Sequence, residues 1–388
     1  MPAANPSDVL LALCSMDHDS QLHAVRNIKN SIIGNLRKKT AFSIAGAVPR
    51  LVEILQKSSP TVCDTLHDTL HAGLQIPCAV TIGERVRPEV VVHAVAALGS
   101  FAFGSTEGNA AVLAAGAFPV LKRLLYSCDQ KVVSGTARTL KILLEGNPQL
   151  SQLMFVSEHS SSIHGESNAL LEQTVEVPAK DKLDTAIVRL LELIAEVQEG
   201  TSDVAAVVLA RACQTREQQL ALSRTRAWEI TDILLSSSPK GQEAGLDLAA
   251  SMVRGNAELA AFMLRRPNTN LQTLLRFVGH RRPFMRLLAC SCIASTVACG
   301  ALSVEKNHQE ISTVLHTAMK LLFSEPHKGE MQRGNGGREE KGGRERARGR
   351  APFSMLHLSK LILCVCVCVC VCVCVCVCVC IYIYILCL

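Results

Sequence analysis

Aromatic side chains are scarce in this chain. They make up 4% of its 388 residues, with three tyrosines and a single tryptophan, Trp228. Strands draw on aromatic and β-branched residues, so the scarcity argues against a β fold and leaves Leu, Ala and Val to build a core of packed helices. Catalytic signatures are absent too. There is no phosphate loop, nucleophile elbow or His-Glu-x-x-His pattern, and Gly-x-Gly occurs only in the C-terminal tail. The expectation is a protein with no enzyme activity, no metal and no cofactor. The opening run MPAANPSDVLLALCSMDHD lacks a charged leader and reaches acidic residues early, so no secretory signal is expected.

Cysteine is plentiful but unevenly placed. Ten of the 18 lie between Cys364 and Cys387, and the other eight are scattered, mostly among apolar neighbours. Buried free thiols act as small hydrophobes and suit a reducing compartment, which points to an intracellular protein. The formal charge of +6 is read as concentrated in a basic Gly-rich run, residues 324–360. With no long basic stripe recognised elsewhere, nucleic acid is not an expected partner.

Residues 361–388 alternate Cys with Val and then Ile with Tyr. Repeated TG encodes Cys-Val and repeated AT encodes Ile-Tyr, so the segment reads as a microsatellite translated in frame, a read-through artefact. The rival reading is an uncharged stretch long enough to cross a bilayer, with basic residues before it.

The body is organised by helical periodicity. In residues 20–57, Val25, Ile28, Ile32 and Ile33 share one apolar face, and Leu51, Ile54 and Leu55 share another. Between them Gly46 suits a left-handed helix end, and Pro49 suits the first turn of the next helix. The pattern returns at residues 90–125. There Gly116-Ala117-Phe118-Pro119 stands in the place of Gly46-Ala47-Val48-Pro49, and Leu121, Leu124 and Leu125 echo the second face. Two such units are a repeat signature, because one unit cannot bury its apolar face alone. The structural repeat positions are therefore Gly46, Pro49, Leu51, Leu55, Gly116, Pro119, Leu121 and Leu125. Further helices or helix pairs are expected at 131–146, 182–198, 203–213, 217–235, 240–264, 270–300 and 307–323.

These units resemble the armadillo repeat. The fold expected is an all-α armadillo/HEAT-type right-handed superhelical solenoid. Its parts are an N-terminal arm (1–19), one clear repeat (20–60), a Pro-containing insertion (61–88), and degenerate repeats (89–323) with a mobile loop at 157–180. The turns recur at 70 residues against about 42 for one armadillo period, which motivates the insertion. Within it, Cys63, His67 and His71 fall at i, i+4 and i+8, and Cys78 could complete a zinc tetrahedron. The spacing matches no Cys-x-x-Cys framework, and a plain helix face or loop explains it as well. Arg37, Lys38 and Lys39 at a helix start, and Arg50 at a turn, are basic points that suit an acidic partner or ordinary solvation.

Beyond the repeat, IKNSIIGNLRKKTAFSIAGAVPRLVEIL, KDKLDTAIVRLLELIAE and RPFMRLLACSCIAS resemble the armadillo repeat-containing protein 8 family. That resemblance implies a subunit of the GID/CTLH ubiquitin-ligase complex, in cytoplasm and nucleus, supporting proteasome-dependent degradation. The implied partners are LisH-CTLH and RING subunits, with Asn35, Arg37, Lys38 and Arg50 as partner-facing candidates. The family carries further C-terminal repeats for its degron receptor, so that contact is expected to be impaired here. The alternative is an armadillo adaptor in nuclear import or in cytoskeletal and adhesion signalling. One tryptophan cannot form the Trp ladder that import receptors use.

Overall fold

The computed structural model describes residues 6–15, 17–58, 86–155, 185–196 and 200–323. The expected 157–180 loop, nearly all of the 61–88 insertion with Cys63, His67, His71 and Cys78, and the tail beyond residue 323 lie outside them. The described residues form eighteen helices and no strand. In chain order these are α1 (Pro6–Leu13), α2 (His18–Ile32), α3 (Leu36–Ile44), α4 (Ala47–Ser58), α5 (Pro88–Ala102) and α6 (Thr106–Ala114). Then come α7 (Ala117–Leu124), α8 (Gln130–Gly146), α9 (Leu150–Phe155), α10 (Thr185–Ala195), α11 (Ser202–Ala212) and α12 (Arg216–Ser223). The last six are α13 (Ala227–Leu235), α14 (Pro239–Val253), α15 (Ala257–Leu264), α16 (Leu271–Val278), α17 (Pro283–Ala298) and α18 (His308–Phe323). The chain divides into two compact units, residues 1–248 and 249–388.

Helices recur in threes: a short helix of six to nine residues, a middle helix, and a third that is as long as or longer than the other two. The triplets are α3–α4–α5, α6–α7–α8, α9–α10–α11, α12–α13–α14 and α15–α16–α17. The junctions repeat as well. Gly34, Gly104 and Gly255 follow long helices with φ of +70, +68 and +66°, a region that side chains with a Cβ rarely adopt. The next residue in each case caps the short helix. Asn35 accepts from the Lys38 N–H at 3.0 Å, Ser105 from Gly108 at 3.0 Å and Asn256 from Leu259 at 3.2 Å. Each cap satisfies a helix-end donor and is worth about 1 kcal/mol. Gly46 and Gly116 are also left-handed, at φ +91 and +76°, and join the short helix to the middle one. Pro49 and Pro119 sit third in α4 and α7, inside the first turn, where no intrahelical donor is lost.

In the first unit the long helices stack on one another, α2 on α5, α5 on α8 and α8 on α11. Val25, Ile28 and Ile32 of α2, Leu98 and Phe101 of α5, and Leu140 and Leu143 of α8 are fully buried. Burying each such side chain contributes about 1.5–3 kcal/mol. The helices approach closely where Gly99 of α5 meets Thr139 of α8. A Cβ at Gly99 would lie 2.8 Å from Thr139 Oγ1. That hydroxyl is engaged across the junction, 3.2 Å from the Val95 carbonyl and 3.0 Å from that of Gly135. Middle helices stack too, α4 on α7 and α10 on α13. Leu51, Leu55, Leu121 and Leu125 are all fully buried. Ile33 departs from the expected face and is 60% exposed. Helix α2 ends at Ile32, and Ile33 adopts extended backbone that swings it outward.

In the second unit α17 packs against α15, α16 and α18. Met285, Cys290, Cys292 and Ile293 of α17 supply its buried side. Burial pushes the Cys290 thiol up to about 12.

Candidate functional site

Stacking fixes which side of each long helix stays outside, and on α2 and α5 that side is cationic. Arg26 is exposed, while Lys29 and His93 are partly so. The Arg26 Nε–H donates to His93 Nε2 at 3.0 Å, and Lys29 Nζ lies 3.3 Å from His93 Nδ1. Burial first, and then the Lys29 and Arg26 charges, hold His93 below its ordinary value, with Glu89 opposing. A neutral imidazole has one acceptor nitrogen. With Nε2 accepting from Arg26, Nδ1 carries the ring proton, so the Lys29 ammonium finds no acceptor on the ring. The carboxylate that acts on His93 is Glu89 of α5 itself, while Asp19 of α2 is engaged at 2.6 Å by Arg87. The result is a small cluster of two cations and one imidazole that bridges two helices.

Further along the same stack the charges are neutralised internally. Arg211 of α11 lies 3.0 Å from Asp247 of α14 and 3.7 Å from Glu145 of α8, with Arg211 and Asp247 only 4% and 8% exposed. Lys141 reaches the same Glu145 at 4.0 Å. This chain of ion pairs ties three long helices together, while the α2–α5 end presents its cations outward.

A second exposed feature lies where α2 hands over to α3. Ile33, Leu36, Ile44 and Phe103 are 56–83% exposed. Arg37 and Lys38 are exposed beside them on α3. Ionic groups bordering an apolar patch are the composition of a protein contact. Lys39 does not belong to it. It is 8% exposed, and its Nζ donates to the Phe103 carbonyl at 2.5 Å, so it pins α3 to the end of α5 rather than facing a partner. Burial also holds Lys39 below its ordinary value. Asn35 is the α3 cap described above. Arg50 is exposed and paired with Glu53 at 2.7 Å, and Glu53 also holds Lys57 at 3.0 Å. The structure thus gathers Arg37 and Lys38 at one edge, and commits Asn35 and Arg50 to contacts within the chain.

His93 was not singled out from the sequence, because its two cationic neighbours stand 67 and 64 residues away. Among the described residues no group of three or more His, Cys, Asp or Glu is placed to hold a metal ion. Nor is any described helix long and apolar enough to cross a membrane.

No family model matches the chain. Among curated proteins it is similar to armadillo repeat-containing protein 8 of Danio rerio, 23% identical over 296 residues, which is 75% of this chain and 36% of that protein. It is similar to the Mus musculus protein of the same name at 27% identity over 139 residues, 36% of this chain and 17% of that protein. The matches therefore span little more than a third of the first relative's length and about a sixth of the second's. Among solved structures it resembles a designed armadillo repeat protein, YIII(Dq)4CqI, with a TM-score of 0.55 and 18% identity, over 76% of this chain and 100% of that one. A second designed armadillo protein, solved with a (KR)4 peptide, matches with a TM-score of 0.54 and 18% identity over the same shares. With its stacked helix triplets and glycine junctions, the chain has the armadillo-repeat fold and is similar in sequence to armadillo repeat-containing protein 8.

Proposed function

We propose that this chain is a non-catalytic scaffold subunit of a GID/CTLH-type ubiquitin-ligase complex, supporting proteasome-dependent degradation in cytoplasm and nucleus by binding other proteins. The observation that carries the protein-binding role is the α2–α5 face. Arg26 and Lys29 there converge on one imidazole, and Arg26 is exposed on the outer side of stacked long helices. Stacked repeats offer extended surfaces on which partners are held at several points. The likeness to armadillo repeat-containing protein 8 supports the choice of complex, and LisH-CTLH and RING subunits are the partners proposed. Trp228 is 4% exposed, which speaks against a groove that reads peptides through a tryptophan ladder.

Affinity purification of the tagged chain from a eukaryotic extract, followed by mass spectrometry, tests the assignment. Recovery of LisH-CTLH and RING subunits, reduced by Arg26→Ala/Lys29→Ala, is the expected result. A soluble, helical chain that retains neither type of subunit would overturn it.

A further inference from the structure

Residues 259–304 hold six arginines, one histidine (His280) and no Asp, Glu or Lys. Several arginines of the first unit sit in ion pairs: Arg50 with Glu53, Arg189 with Glu192, Arg211 with Asp247 and Arg226 with Glu229. In the second unit four arginines gather at one corner. Arg276 lies in the last turn of α16, Arg281 and Arg282 in the link, and Arg286 in the first turn of α17. The two helices pack on each other, so the corner is held by the fold. Arg276 and Arg281 are exposed. Neither side chain has a hydrogen bond or ion pair among the described residues. The Arg286 Nε is buried with no hydrogen-bond partner among them. Helix α17 also has no acidic residue in its first turn, so the positive end of its dipole adds to the potential unopposed by a carboxylate of its own.

Like charges of this density repel, and they persist where an external anion offsets them. Guanidinium groups favour carboxylate and phosphate because their planar fork matches two oxygens at once. Two observations favour a protein carboxylate over a nucleic-acid strand. Single strands are held by bases stacking on exposed aromatic rings. Phe277 and Phe284 at this corner are only partly exposed. The more exposed Phe262 already has the Arg266 guanidinium over its ring, 5.6 Å from the centroid. An armadillo surface is also built to follow an extended polypeptide.

We propose that the α16–α17 corner, through Arg276 and Arg281 with the Arg286 guanidinium beside them, docks a carboxylate-rich segment of a partner protein. This goes beyond the ligase assignment and does not depend on it, since a defined peptide tests it. The full chain is photo-crosslinked to a benzophenone-labelled oligoglutamate peptide, with oligoglutamine as control, and adducts are located by mass spectrometry. Adducts are expected within residues 271–290, reduced about tenfold or more by Arg276→Ala/Arg281→Ala and largely restored by Arg276→Lys/Arg281→Lys. Recovery in the lysine pair shows that charge, not folding, is responsible. Adducts that fall only elsewhere, the basic 324–360 run included, would sink the proposal. So would adducts unchanged in the alanine pair. Displacement of the peptide by oligouridine at lower concentration than by unlabelled oligoglutamate would reassign the corner to nucleic acid.

Discussion

Arg26 on α2 donates its Nε–H to Nε2 of His93 on α5, 67 residues away and 3.0 Å distant. With Lys29 at the opposite ring nitrogen, the imidazole is held neutral between two positive charges. We expect His93 to titrate below its ordinary value, and Lys29→Ala to move it upward, by histidine-resolved NMR. The sign for stability follows from which state binds the proton first. As pH falls the unfolded chain protonates His93 before the folded one does. Its contribution is therefore present above the unfolded value and lost as pH drops through the folded value. A melting temperature that is flat from pH 7.5 to about 5, with no change in Lys29→Ala, would count against this account.

The buried network around Arg211 makes a second expectation. Asp247→Ala removes the carboxylate that lies 3.0 Å from Arg211, leaving an under-compensated charge in the helix stack. A loss of about 3–5 kcal/mol is expected by urea unfolding. Replacing both Arg211 and Asp247 with Met and Leu should recover much of it. Equal losses in the single and double variants would show that the pair is not coupled.

Gly99 of α5 packs tightly against Thr139 of α8. Gly99→Ala places a methyl against Thr139 Oγ1, while alanine itself favours the helix, and the net expectation is a loss of about 1–2 kcal/mol. Thr139→Ala in the same chain removes the clash and should return most of that loss. Thermal melts of the two variants decide it.

Thiol chemistry separates the described cysteines by burial. Cys290 is buried and held near 12, and Cys213 and Cys292 are buried beside other apolar groups, whereas Cys14 and Cys128 are exposed. Brief iodoacetamide treatment at pH 8, mapped by mass spectrometry, should modify Cys14 and Cys128 and spare the other three. Alkylation of Cys290 in the folded chain would contradict the packing of α17.

Much of the helix order was legible in the sequence, because apolar spacing and the two Gly-Ala-x-Pro turns are local. Leu51, Leu55, Leu121 and Leu125 report their own burial through period alone. What escaped reading depends on neighbours far along the chain. Ile33 matches the α2 periodicity but lies one residue past the helix end. Lys39 follows Arg37 and Lys38 in an apparently uniform basic run, yet its nitrogen goes to a carbonyl 64 residues on. His93 gains its character only when α2 is laid against α5. The arginines of residues 259–304 were visible but hidden among apolar helix positions, and their convergence appears only when α16 turns into α17.

The glycine-and-cap junctions carry a consequence for how such a chain changes length over generations. Gly34-Asn35 and Gly104-Ser105 are twins in backbone and in chemistry. Excising residues 35–104 would join Gly34 to Ser105 and rebuild a working junction at the scar, and duplicating the same block would insert one more. The seams between triplets are thus interchangeable splice points. Gain or loss of a whole triplet disturbs the local backbone less than gain or loss of a single residue within one.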